Sequence, residues 1–177
     1  MSLKEKVMDR VEFKQFCENV FISYGFKKIK SKYYLQGKDI LCSIDFQKSI
    51  GDAYYINYHY YLDINNTSAK YPSHYDADVS MRMVVMSKDT FRGENFMDAC
   101  IEYERYQFEE IKPYIDKEFE EHIMPIIING KNRLKEDLDY YVFEMFEEEA
   151  EKLLIKLGFP NIQEKMKEYN DKGYWEE

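Results

Sequence analysis

The chain has 177 residues, of which 45% are hydrophobic, 33% charged and 17% aromatic, with a formal net charge of −9. These figures fit a single globular domain over residues 1–177 and exclude a disordered tail, a collagen-like chain and a disulfide-knotted miniprotein. No apolar run approaches the roughly 18 to 20 residues of a membrane span, and Met1-Ser2-Leu3-Lys4-Glu5-Lys6 leads into charge rather than a signal-peptide core. A soluble, cytoplasmic protein with no membrane partner is expected.

The first predicted element is a helix from Asp9 to Tyr24. Phe13, Phe16, Cys17, Val20, Phe21 and Tyr24 recur at helical period and form one apolar stripe. Gly25 stands where a left-handed residue closes a helix, and Phe26 supplies the apolar contact of a Schellman ending. Lys32–Gln36 reads as a short strand, turned by Gly37-Lys38-Asp39 into the next. From Ile40 to Lys48 the residues alternate, with Ile40, Cys42, Ile44 and Phe46 on one face and Ser43, Asp45 and Gln47 on the other. Tyr54 to Leu62 repeats the pattern, with Tyr55, Asn57, His59 and Tyr61 on its second face. Residues 49–53 join the two as a hairpin, and a fourth strand is expected at Ser80–Met86. Between them Asp63–Asp78 is a long polar loop of the kind that often carries function.

The second half reads as helical. Asn95 with Asp98 imitates a capping box, and Met97, Cys100, Ile101, Phe108, Ile111, Ile115 and Phe119 keep approximate helical spacing. Pro113 is expected to kink or restart that helix. After the Asn129-Gly130 turn signal, one long helix carries Leu134, Leu138, Tyr141, Val142, Met145, Phe146, Leu153 and Leu157. Gly158 and Phe159 end it as Gly25 and Phe26 end the first, and a short helix runs from Asn161 to Tyr169. Strands grouped in one block, without βαβ alternation, predict an α+β fold. The expected architecture is an antiparallel sheet of about four strands with helices packed on one face. Its sheet-forming half covers about 1–90 and its helical half about 91–177.

Composition also restricts the chemistry. Seven widely spaced glycines leave no phosphate-cradling loop, and three scattered cysteines and three scattered histidines have no metal-ligand spacing. No cofactor and no metal are therefore expected. Residues 1–50 carry net charge +4 and residues 101–150 net −9. That balance, with twenty lysines to five arginines, argues against a nucleic-acid partner. The run Lys27, Lys28, Lys30 and Lys32 before Tyr33 and Tyr34 reads as charge at a helix end and on an edge strand.

Tyr24-Gly25-Phe26-Lys27-Lys28, Lys32-Tyr33-Tyr34, Ile44-Asp45-Phe46-Gln47-Lys48-Ser49 and Tyr54-Tyr55-Ile56-Asn57 together resemble an uncharacterised bacterial family, domain of unknown function 4304. Arg82 fits that family's later arginine. The resemblance implies an α+β fold and a bacterial source, and no activity.

The polar sheet face is the candidate site. If the hairpin pairs symmetrically about Gly51, Asp45 stands opposite Asn57, Gln47 opposite Tyr55 and Ser43 opposite His59, with Cβ atoms ~4.5–5.5 Å apart. Arg82 joins them if the fourth strand is adjacent. Asp45, Gln47, Asn57, His59, Tyr61 and Arg82 then form one hydrogen-bonding surface able to hold a carboxylate, a peptide or a small polar ligand. Solvated polar faces are also ordinary in antiparallel sheets. No nucleophile or oxyanion donor pair stands out. A non-catalytic module with a protein partner is thus the first reading, immunity-like if Glu109-Glu110, Glu118, Glu120-Glu121 and Glu147–Glu149 mimic a polyanion. The seventeen tyrosines favour an interface. The alternative is a small-ligand binder or hydrolase-type enzyme around Asp45, His59 and Arg82.

Overall fold

A computed structural model describes residues 7–64, 70–88 and 96–175. Helix α1 is Arg10–Ser23. Asp9 caps it, accepting from Val11 N at 2.8 Å and Glu12 N at 2.9 Å, while Glu12 accepts from Asp9 N. This reciprocal arrangement satisfies donors that the first helical turn leaves open. At the other end Phe26 N donates to Phe21 O and Gly25 N to Ile22 O, with Gly25 at φ +96°, the expected Schellman closure.

Five strands follow: β1 (Lys27–Ile29), β2 (Lys32–Gln36), β3 (Leu41–Lys48), β4 (Tyr54–Tyr61) and β5 (Val79–Arg82), in that spatial order as an antiparallel sheet. The additional first strand pairs Lys27 with Tyr34 and Ile29 with Lys32. Its three residues are too few to show alternation, so their sequence reads only as charge after a helix. The expected strand Ser80–Met86 is divided. Met83 N still donates to Ile56 O at 2.9 Å, but β6 (Val85–Met86) instead pairs with β7 (Met97–Asp98) as a second, two-stranded sheet.

The helical half differs from its sequence reading in its boundaries. Asn95 lies outside the described residues. Met97–Asp98 is strand, Ile101 bridges Tyr54, and Tyr103–Arg105 is a 3-10 turn. Pairing partners remote in sequence override the weak helical spacing there. Helix α2 begins only at Phe108 and runs to Lys117, with Pro113 inside it. A wide π turn, Glu118–Ile123, joins it to α3 (Met124–Asn129). The final π-type bond, Met124 N to Phe119 O, comes just before Pro125, which has no N–H to donate. The expected long last helix is three pieces, α4 (Lys131–Glu136), α5 (Leu138–Val142) and α6 (Glu147–Lys156), followed by α7 (Ile162–Asp171). The Gly158–Phe159 closure of α6 repeats that of α1.

The chain packs as two compact units. The first holds residues 1–35, Ser43–Tyr58 and Arg82–Met124. Its core is aromatic: Phe13 stacks on Tyr103 at 5.4 Å, Phe21 meets Tyr33 edge-on at 5.1 Å, and Tyr24 lies parallel to Phe119 at 4.2 Å. The second holds Gln36–Cys42, His59–Met81 and residues 125–177. There Tyr60 meets Tyr141 edge-on at 5.8 Å, among buried Ile40, Cys42, Leu138, Leu153 and Leu154. Lys156 bridges Asp63 and Asp78. All three cysteines are free thiols. Among the described residues no helix is long and apolar enough to cross a membrane.

Candidate functional site

Alternation along the strands of the first unit builds a polar network on one sheet face. Phe46 and Tyr54 turn toward Phe13 of α1, at 6.1 and 6.2 Å between ring centroids. Their neighbours Asp45, Gln47, Tyr55 and Asn57 must then face the other way. Asn57 Nδ2 donates to Asp45 Oδ1 at 3.1 Å and lies 3.4 Å from Gln47 Oε1. Gln47 Oε1 also accepts from Arg82 Nη2 at 3.4 Å. The Arg82 guanidinium lies over the Tyr55 ring, 4.2 Å from its centroid, a favourable cation–π geometry. At the other end Asp45 Oδ2 is 3.3 Å from Lys32 Nζ. Tyr34 stands beside this carboxylate, and its phenol is raised by burial and then by the Asp45 charge.

Four of the six residues expected at the site, Asp45, Gln47, Asn57 and Arg82, are thus joined through hydrogen bonds. Gln47 and Arg82 are exposed, whereas Asp45 and Asn57 are half-buried. His59 and Tyr61, farther along β4, are instead buried at 4% and 1% exposure. His59 Nδ1 is 2.8 Å from Ser80 Oγ, and the His59 ring stands 5.8 Å from that of His74, in a 3-10 turn capped by Ser73. Ser43, expected on the solvated face, is also buried. Alternation gives the side of the sheet a residue takes; it does not say whether that side is covered. Of the loop Asp63–Asp78, residues 65–69 lie outside the described residues.

The domain of unknown function DUF4304 matches residues 17–129. The chain belongs to that family. Every member of the polar network, from Lys32 to Arg82, lies inside the DUF4304 span, while α4 to α7 lie beyond it. No curated protein and no solved structure matches the chain.

Within the same span lies a group that the sequence reading places on a solvated acidic face. Glu118, in the π turn, is only 5% exposed. Tyr58 OH donates to its Oε2 at 3.4 Å and the Val84 backbone also bonds it. Burial nevertheless dominates and pushes its carboxyl up to about 7. Glu118 therefore cannot belong to a polyanionic surface, unlike exposed Glu109, Glu110, Glu120 and Glu121. Lys32 and Tyr55 are the other residues whose part in the site is missed. Lys32 is hidden among neighbouring lysines, and Tyr55 among seventeen tyrosines.

Proposed function

We propose that this chain is a non-catalytic interaction module that binds a protein partner through the polar sheet face, at Gln47, Tyr55, Asn57 and Arg82. The observation that carries this reading is the exposed Arg82 guanidinium held over the Tyr55 ring and tied to Gln47. Arginine and tyrosine dominate interface energetics, and side chains already ordered before binding lose less entropy on contact. We place the protein in a bacterial cytoplasm, from the family resemblance and from its free thiols, which suit a reducing compartment. An immunity-like role rests on the excess of acidic residues in 101–150, where charge accelerates encounter with a basic partner.

The test is capture from a lysate of the source organism at low and moderate salt, with wild-type protein and with a Gln47→Ala/Arg82→Ala double variant. A protein retained stoichiometrically by the wild type and lost from the variant is expected. Equal retention by both places the contact elsewhere. A second reading, a hydrolase-type enzyme, draws on the 2.8 Å approach of His59 Nδ1 to the exposed Ser80 Oγ, a nucleophile–base pair in reach of one another. Stoichiometric labelling of Ser80 by a fluorophosphonate, abolished in His59→Gln, would favour it over the interaction module.

A further inference from the structure

On the polar face the charges do not cancel. Asp45 is matched by Lys32, and Gln47, the polar partner of Arg82, is neutral. Among the described residues no carboxylate reaches the Arg82 guanidinium. That leaves the Arg82 guanidinium without an opposite charge, on a chain whose net charge is −9. The cation is also positioned, because it sits over the Tyr55 ring and Gln47 takes an Nη2 donor. An arginine fork held in this way, with donors to spare, matches the two oxygens of a carboxylate in one plane.

From this geometry we infer that Arg82 is the receptor for an aspartate or glutamate side chain of the protein partner. The inference rests on the interaction reading above and adds the chemistry of the partner. Beside Arg82 a single guanidinium charge is open, which balances one carboxylate and not the second negative charge of a phosphate dianion. Asp45, connected to Gln47 through Asn57, further disfavours the second negative charge of a phosphate. A partner carboxylate replaces water on an arginine whose stacking and tether persist in the complex, so little ordering remains to be done on binding.

The test is an NMR titration of the full chain with capped hexaglutamate, capped hexaglutamine and inorganic phosphate, following backbone amides and the Arg82 Nε–Hε signal. Saturable shifts with hexaglutamate at Arg82, Gln47 and Tyr55, and none with hexaglutamine, are expected. Arg82→Gln removes them, and Arg82→Lys weakens binding about tenfold, because the charge survives but the planar fork does not. Tyr55→Leu keeps the arginine and removes its platform, so it weakens binding too and serves as the check if Arg82→Gln fails to fold. Shifts centred on Lys27, Lys28 and Lys30, an Arg82→Lys affinity equal to wild type, or tighter binding of phosphate than of hexaglutamate overturns the inference. A partner captured through this face alongside no hexaglutamate binding sinks the carboxylate assignment alone and leaves the interaction reading standing.

Discussion

Glu118 shows what burial does to a single side chain. In the unfolded chain its carboxyl titrates near the ordinary 4.5, whereas in the fold burial holds it up to about 7. The folded protein therefore keeps a proton that the unfolded chain releases. Stability is full below the unfolded value and is lost as pH rises through the folded one. The gap from 4.5 to about 7 corresponds to about 3 kcal/mol. Glu118→Gln keeps an oxygen for Tyr58 OH and removes the titration. It is expected to match the wild type near pH ~5 and to exceed its stability by about 1–3 kcal/mol near pH ~8. Urea denaturation at a series of pH values checks this; parallel curves for the two proteins would contradict it. Nothing in the glutamate-rich run 118–121 distinguishes this residue from its neighbours. The distinction comes from Tyr58 and Val84, which lie far away in the chain.

At the scale of elements, two close approaches to glycines mark the second unit. Gly37 lies so close to α3 that an added Cβ would stand 2.6 Å from Ile127 O, beside the bond from Lys38 N to that same oxygen. Gly130, at φ 70° and ψ −152°, occupies backbone space essentially reserved for glycine. A Cβ there would collide with Asp39 Oδ1, the atom that accepts from Lys131 N at 2.8 Å. Gly130→Ala is expected to cost about 2 kcal/mol or more. Gly51→Ala, at a positive φ with open space around it, should cost about 1 kcal/mol. Equal losses in denaturant titrations would remove the steric account. At α1 the cap residue Asp9 makes the reciprocal bonds described above, and Asp9→Ala should cost about 1 kcal/mol, read as a lower melting temperature.

At the scale of the whole molecule, the family span and the folded units do not coincide. The DUF4304 match stops at residue 129, yet the second unit takes strand segments from inside that span together with residues 125–177. Tyr60 and Cys42 share their core with Tyr141, Leu138, Leu153 and Leu154. Ending the chain at Asn129 exposes that apolar surface and removes the Lys156 bridge between Asp63 and Asp78. The shortened chain is expected to lose cooperative thermal unfolding in circular dichroism. A melting temperature within about 5 °C of the full chain would show that the matched span is self-sufficient.

Local and periodic features were legible in the sequence. They include the capped first helix and its Gly25–Phe26 closure, the two alternating strands with Asp45, Gln47 and Asn57 on one face, the Gly158–Phe159 ending, and the α+β class. These depend on residues a few positions apart, where spacing alone determines which side chains share a face. The split fourth strand, the burial of His59 and Glu118, and the seating of Arg82 on Tyr55 were decided by tertiary structure. Each depends on a partner dozens of residues away or on whether a face is covered. Hydrophobic periodicity gives a side chain's direction, and only the folded chain provides the neighbour it meets or the solvent it loses.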